Sequence, residues 1–167
     1  MKILGTCRVA DALGDWGSHN TAWRARREIT DAYEGVDFAL TYYADYVSRI
    51  LAATPFGCLR VHVFAEDVPQ LYLHDKKRTA ESLTEMISAA SGPDADYVLA
   101  MAAAETRVVG PLTCTCQGAV EDATLRLHPR LFIFDGWHRA AAWILQGRAG
   151  KIYPILANVI LTEKELG

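Results

Sequence analysis

Residues 131–143 read Leu131-Phe-Ile-Phe-Asp-Gly-Trp-His-Arg-Ala-Ala-Ala-Trp143, and this stretch decides the fold. Its first four residues are apolar, which predicts a short buried strand. Asp135-Gly136 is a turn signal, and the alanine-rich run that follows predicts a helix. The polar side chains of Asp135, His138 and Arg139 are therefore expected at a strand–turn–helix junction.

The start of this helix predicts an anion site, because the first backbone N–H groups of a helix lack internal partners. Arg139 would add a forked, permanently charged donor that suits phosphate oxygens, and its alternative role is a structural ion pair. His138 would either contact phosphate or shuttle a proton, or else brace the turn through a backbone carbonyl. Asp135 is expected to cap the helix, with Mg²⁺ binding through a water or action as a base as its alternative roles.

Length and composition indicate a globular chain without a strong overall electrostatic field. The 167 residues are 51% hydrophobic, which is sufficient for a sizeable core. A net charge of −3 and a pI of about 5.9 disfavour nucleic acid as a partner, while leaving a local basic patch possible. The chain has neither an apolar run of membrane-spanning length nor a signal-peptide pattern, so we expect a cytoplasmic protein without a membrane partner.

The four cysteines predict structural thiols rather than a disulfide framework. Cys7, Cys58, Cys114 and Cys116 are few and irregularly spaced. Strand alternation places Cys114 and Cys116 on one face, and neither a C-x-x-C motif nor a spaced pair of histidines accompanies them. Burial is therefore predicted over metal ligation.

The other elements follow from apolar periodicity. Ser18 or Asn20 is expected to cap a first helix that Gly35 interrupts, and a second helix ends before Pro55. Further along the chain, strands and helices alternate irregularly. Strands are predicted at 59–64, 112–116 and 152–160, the last of them central or nearly so, and helices at 76–90 and 94–105.

Three pieces of sequence carry a resemblance to a known family. They are Asp75-Lys-Lys-Arg-Thr-Ala-Glu-Ser-Leu-Thr-Glu-Met-Ile, Gly110-Pro-Leu-Thr-Cys-Thr, and Phe134-Asp-Gly-Trp-His-Arg-Ala-Ala-Ala-Trp followed by a strand with Tyr153-Pro-Ile-Leu. Together they resemble the ParB/sulfiredoxin superfamily over residues 59–167. The resemblance implies an α+β fold with a small mixed sheet packed by helices, to which residues 1–58 add a helical N-terminal extension.

The resemblance also implies a nucleotide site, since the Gly-x-His/Arg-Arg turn of this superfamily binds nucleotide phosphates. Contacts to the nucleotide would come from the turn and from the helix near Ser82, that is, from Gly136, His138, Arg139, Lys77, Arg78, Thr79 and Ser82. The catalytic candidates are Glu66, near the position of a catalytic acid in serine kinases of the superfamily, together with Asp135 and His138. The implied ligand is ATP or a related nucleotide with Mg²⁺, acting with an unidentified small-molecule acceptor.

Two departures from the family narrow the expected function. Trp137 stands where a sulfiredoxin has its cysteine, and an indole has no nucleophilic atom, so repair of sulfinic acids is not expected. The 28 residues after Arg139 are interpreted as the rest of a helix and one strand, so DNA loading of the partition type is not expected either. An ATP-dependent phosphotransferase or ATPase is predicted, with a non-catalytic regulatory or interaction module, binding nucleic acid or protein, as the alternative.

Overall fold

The computed structural model describes residues 1–19, 21–75, 77–117 and 130–164, with residues 21–23 described for the backbone only. Six strands form one mixed sheet in the order β1-β2-β6-β4-β5-β3. They are β1 (Lys2–Cys7), β2 (Pro55–Val63), β3 (Leu71–Leu73), β4 (Leu112–Gln117), β5 (Leu131–Asp135) and β6 (Ile155–Thr162). The strand β5 pairs parallel with β3 and antiparallel with β4, while β4 and β6 are parallel.

Helices lie on both faces of this sheet. They are α1 (Val9–Ser18), α2 (Thr21–Arg27), α3 (Ala32–Tyr42), α4 (Ala44–Ala52), α5 (Ala80–Ala89), α6 (Pro93–Ala103) and α7 (Trp137–Arg148), and a 3₁₀ segment (Ala65–Gln70) joins β2 to β3. None of the helices in the described ranges is long and apolar enough to cross a membrane.

The sheet has an apolar core on each face, because the side chains of its strands point alternately to the two faces. The larger core packs β2, β4, β5 and β6 against α5, α6 and α7, and includes Ile133 and Trp143. The smaller core packs the opposite face against α1, α3 and α4, and includes Trp16, Ile50 and Ile160. Because successive side chains of a strand point to opposite faces, a strand buried on both sides is largely apolar, as β6 is apart from Asn158 and Thr162.

Glycines bring the backbones of α1 and α3 into contact. A Cβ placed on Gly14 would lie 2.5 Å from the Ala32 carbonyl oxygen, and one placed on Gly35 would lie 2.5 Å from the Gly14 carbonyl oxygen. A Cβ on Gly17 would overlap the Gly35 carbonyl group. Only glycine permits this approach, which fixes where the carboxyl end of α1 lies over the sheet.

The mixed α+β fold is confirmed at the level of a six-stranded mixed sheet with helices. Strands were correctly predicted where β2, β4, β5 and β6 occur, and β6 is internal, between β2 and β4. The helices at 94–105 and after Gly136 were also correctly predicted, as α6 and α7. The predicted helix at 76–90 begins only at Ala80, and Lys76 lies outside the described residues.

The N-terminal region differs most from the prediction. Residues 1–58 contribute the edge strand β1 as well as helices, and β2 runs across the predicted boundary at residue 58. Gly35 lies inside α3 and does not interrupt a helix, since its role is close packing against α1. Ser18 ends α1 and does not begin a helix, while Asn20 lies outside the described residues.

Gly17→Ala is expected to destabilise the protein, because the added methyl group must push α1 away from α3. Overpacking of this kind costs roughly 1–3 kcal/mol of the free energy of unfolding. Gly147→Ala is the matched control: a Cβ there meets no atom within 4 Å, and alanine favours helix by up to about 1 kcal/mol. Urea unfolding measures both, and equal stability of the two variants would contradict the close-packing account.

Candidate functional site

The junction between β5 and α7 lies where two parallel strands end. His74 follows β3, its backbone N–H donates to the Ile133 carbonyl oxygen at 3.2 Å, and Asp135 is the last residue of β5. The carboxyl ends of parallel strands are where α/β folds commonly place ligands. The start of α7 and the carboxyl end of α1 meet at the same edge of the sheet, which brings residues distant in sequence into one cluster.

Three charged or titratable side chains form this cluster. The Arg139 Nη2 group donates to the Asp135 Oδ2 atom at 2.7 Å, and His19 Nδ1 lies 3.0 Å from the same oxygen. The side chains of Arg139, Asp135 and His19 are 19%, 27% and 17% exposed. Because the cluster is partly buried, its charges interact more strongly than they would on the open surface.

The contacts of His19 assign its tautomer. Arg139 Nη2 also lies 3.3 Å from His19 Nδ1, but a guanidinium only donates and a carboxylate only accepts. The shorter contact, to Asp135, therefore takes the Nδ1 proton, and Arg139 is satisfied by the same carboxylate. With Nδ1 donating to Asp135, Nε2 is the ring nitrogen through which a carboxylate-oriented histidine accepts a proton in catalysis.

Gly136 allows the guanidinium of Arg139 to lie over the turn. Its φ of 89° is in the left-handed region, which favours glycine. A Cβ at this position would lie 2.8 Å from Arg139 Nη2 and 2.9 Å from Leu112 Cδ2. The Arg139 Nε atom is buried and has no hydrogen-bond partner among the described residues, which is a rare state for a charged donor.

An aromatic group packs beside the cluster. Tyr43 stacks on Trp16 with ring centroids 4.8 Å apart, and Tyr46 lies edge-on to Phe134 at 6.0 Å. The Tyr46 hydroxyl also lies 3.2 Å from His74 Nε2. Burial, together with the nearby charge of Asp135, raises the pKa of Tyr43. These rings hold Phe134, and so the end of β5, against α1 and the α3–α4 region.

His138 faces away from this cluster, toward α6. Its Nε2 atom lies 3.2 Å from Asp94 Oδ1, its ring stacks on Trp137 at 3.3 Å between centroids, and the Tyr97 ring meets it edge-on. Burial lowers the pKa of His138, and the hydrogen bond to Asp94 offsets part of that shift. A phosphate contact from His138 stays a prediction, but its ring already has partners on α6.

Asp135 does not cap α7 as the sequence suggested. The N-cap residue is Gly136, and the Asp135 carboxylate instead binds Arg139 and His19. Arg139 therefore forms the structural ion pair that was predicted as its alternative role. The arginine at i+4 reaches back over the glycine turn, so the carboxylate is neutralised by a side chain rather than by backbone N–H groups.

The other predicted phosphate contacts, from Lys77 to Ser82, make local hydrogen bonds in the segment that follows β3. Arg78 Nε donates to Asp75 Oδ2 at 2.7 Å, and the backbone N–H groups of Lys77 and Arg78 both donate to Asp75 Oδ1. Thr79 and Ser82 form a reciprocal cap at the start of α5, in which each side chain accepts a hydrogen bond from the other's backbone N–H at 3.1 Å. Their roles toward a nucleotide remain predictions.

Glu66 is exposed in the 3₁₀ segment. Among the described residues, it makes no hydrogen bond or ion pair with the cluster of Asp135, Arg139 and His19. Its neighbour Ala65 lines a cavity of about 260 Å³ beside the C-terminal half of α7, together with Ile144 and Gly147. Asp67, by contrast, is buried and pairs with the N-terminal ammonium of Met1 at 2.7 Å. The proposed catalytic role of Glu66 stays a prediction.

The four cysteines form no disulfide; Cys58, Cys114 and Cys116 are buried, as expected, and Cys7 is only partly buried. Within the described ranges, no three His, Cys, Asp or Glu side chains come together as a group that could hold a metal ion.

Comparison with known proteins gave no match: no family model, no curated protein and no solved structure is similar to this chain. The ParB/sulfiredoxin resemblance therefore stays a prediction that rests on the motifs alone. Any function has to be argued from the site itself.

Sequence reasoning missed four residues of this site: His19, Tyr43, Tyr46 and His74. The first three come from the N-terminal region, and His19 reaches Asp135 across 116 positions of sequence. The only local signal was the step from a buried strand to His74-Asp75, which resembles the step from β5 to Asp135-Gly136.

Two half-buried histidines, His74 and His138, predict a loss of stability in mild acid. Burial lowers the pKa of both His74 and His138, so below the ordinary value of about 6.5 the unfolded chain binds protons that the folded chain does not. The free energy of unfolding should fall between pH 7.5 and 5.5, and it should fall less in a His74→Gln/His138→Gln variant. Urea unfolding at both pH values tests this, and an equal or steeper fall in the variant would refute it.

Proposed function

We propose that this chain binds the phosphate groups of a nucleotide, ATP or a relative with Mg²⁺, at the start of α7. The observation that carries the proposal is Arg139: its guanidinium lies over the first turn of the helix, and its buried Nε has no partner among the described residues. A charged donor that is buried without a partner is rare and calls for an explanation, of which a bound ion or an ordered water is one. The ParB/sulfiredoxin resemblance of the Gly136–Arg139 turn supports the same ligand.

The chemistry of the surrounding groups fits a phosphate. The amide N–H groups of the first turn of α7 supply the positive end of the helix dipole. Asp135 holds one amino group of Arg139, and the guanidinium has further N–H donors with which to bind phosphate oxygens. A nucleotide brings its own Mg²⁺, and among the residues of this cluster the Asp135 carboxylate is the oxygen ligand that such an ion prefers.

The reaction we propose is phosphoryl transfer to water or to a small acceptor. Catalysis of this kind depends on positioning and on stabilising charge, which the start of α7 and Arg139 supply. His19, oriented by Asp135 through Nδ1, would accept the proton of the attacking hydroxyl at Nε2. Glu66, the other predicted catalytic carboxylate, lies in the 3₁₀ segment and is not assigned a part in this step.

A non-catalytic regulatory or interaction module on the same fold is the second candidate. It is favoured by the closed geometry of the cluster, in which one carboxylate binds both Arg139 and His19. This arrangement stabilises the junction without any ligand. In that case Arg139 contributes to the free energy of unfolding only.

Thermal unfolding with ATP, CTP, GTP and ADP, with and without Mg²⁺, tests the proposal. At nucleotide concentrations far above Kd, the wild type should gain roughly 5 °C in Tm. Arg139→Lys keeps the charge but loses the forked donors, so its gain should be much smaller. Arg148→Lys, at the other end of the same helix, is the matched control and should gain as much as the wild type.

Two outcomes separate the candidates. If the wild type is not stabilised by any nucleotide while Arg139→Lys is less stable than Arg148→Lys, the cluster is structural and the proposal is wrong. If nucleotide stabilises the wild type, phosphate release from bound ATP distinguishes enzyme from module. His19→Gln should then bind ATP as well as the wild type and release at least about tenfold less phosphate, as expected for loss of a general base.

A further inference from the structure

Two cysteines face each other across the edge of the sheet. Cys7, the last residue of β1, pairs with Cys58 of β2 in the antiparallel register. Residues directly opposite in an antiparallel pair have Cβ atoms roughly 4.5–5.5 Å apart, and a disulfide needs roughly 3.5–4.5 Å. A shift of about 1 Å therefore suffices, and β1 can make it because it has a neighbouring strand on one side only.

The two thiols are already in contact. Cys58 belongs to the core beneath α1 and α4, and Cys7 packs against that same core, so both side chains lie on one face of the sheet. A hydrogen bond between the two side chains contributes to the pKa of both thiols, so their sulfur groups lie close together. Opposed register, a common face and this proximity are the arrangement from which a cross-strand disulfide forms.

A disulfide between Cys7 and Cys58 would close a loop that contains the N-terminal helices. All four N-terminal helices, α1 to α4, lie between Cys7 and Cys58. A bond between these residues would join the two ends of the helical layer that covers one face of the sheet. That layer includes Trp16 and Tyr46, and the loop after α1 carries His19 to Asp135.

We propose that Cys7 and Cys58 are a redox modification site, which forms a reversible cross-strand disulfide by exchange with small-molecule disulfides. The Cys7 thiolate attacks one sulfur of the small disulfide and releases its other half as a thiolate, leaving a mixed disulfide on Cys7. Cys58 then loses its proton to solvent and attacks the Cys7 sulfur, which releases the second small thiolate. The two protein thiols are oxidised, and one small disulfide is reduced to two thiols.

The different burial of the two sulfur atoms indicates which of them reacts first. Cys7 is partly exposed and Cys58 is 3% exposed, so Cys7 is the sulfur that an outside disulfide reaches first. Burial raises the pKa of both thiols, and that of Cys58 more strongly, so the attack by Cys7 and the closure by Cys58 are both expected to be slow at neutral pH and to accelerate as the pH rises.

The chain contains its own control pair. Cys114 and Cys116 are also buried and form no disulfide, but they are two residues apart on the single strand β4. Residues at this spacing on an extended strand have Cα atoms near or beyond about 6.5 Å and side chains that run parallel, which disfavours a disulfide between them. Oxidation confined to Cys7 and Cys58 would therefore follow from geometry rather than from general thiol reactivity.

Incubating the folded protein with oxidised glutathione, or with dithiothreitol as the reduced reference, tests the proposal. Intact mass should show the loss of two hydrogens, and peptide mapping without reduction should link the peptides of Cys7 and Cys58. Tm should rise by roughly 10 °C, because the closed loop is long, and dithiothreitol should restore the original value. Hydrogen exchange in α1–α4 should slow on oxidation.

Single variants complete the test. Cys58→Ser should stop at a glutathione adduct on Cys7, Cys7→Ser should give no cross-link, and Cys116→Ser should cross-link like the wild type. The proposal is overturned if the wild type itself gives only adducts, gives no oxidation at pH values where free thiols react, or links Cys114 or Cys116 instead. A lower Tm after cross-linking would also overturn it, and none of these results depends on nucleotide binding.

Discussion

The backbone contact between α1 and α3 is the constraint on which the candidate site depends. Gly14, Gly17 and Gly35 let the two helices approach until carbonyl groups of one occupy the space that a side chain of the other would fill. This contact fixes the axis of α1 over β4 and β6, and the residue that follows α1 is His19. Without it, the histidine would have no defined position relative to Asp135, 116 residues away.

The second determinant is the charge at the end of β5. A strand that is apolar up to Phe134 ends on a carboxylate in a partly buried place, and a carboxylate there needs partners. Arg139 and His19 provide them, with Arg139 reaching back over Gly136 because that residue has no side chain. The same arrangement that neutralises Asp135 gathers a guanidinium, an oriented imidazole and the start of a helix. Stability and proposed function therefore share one set of contacts.

How far the sequence predicted this structure depends on how local each signal was. The junction at residues 131–143 was predicted correctly because apolar runs, turn signals and alanine content act within a few residues. The strands β1 and β3 were not predicted: β1 is an edge strand with mostly exposed side chains, and β3 has only three residues. Neither has an apolar pattern long enough to recognise.

The differences at particular residues have the same cause. Gly35 was predicted to break a helix because glycine is unfavourable in isolated helices, but it packs inside α3 against the backbone of α1. Thr79 and Ser82, whose nucleotide contacts remain predictions, also cap α5 in a threonine–serine version of the capping box, a role that was not predicted from the sequence. His19 carried no local signal, since its partner lies on a distant strand. Local sequence patterns predicted the turn at Asp135-Gly136, whereas only the packed structure shows that His19 lies against it.

The most direct measurement is an NMR titration of the ¹⁵N-labelled protein with ATP and Mg²⁺, following backbone amides and histidine ring nitrogens together. We expect the largest changes at the amides of residues 136–139 and at the ring of His19. Changes centred on the cavity beside the C-terminal half of α7 would contradict this site. A spectrum unchanged at saturating nucleotide would contradict it as well.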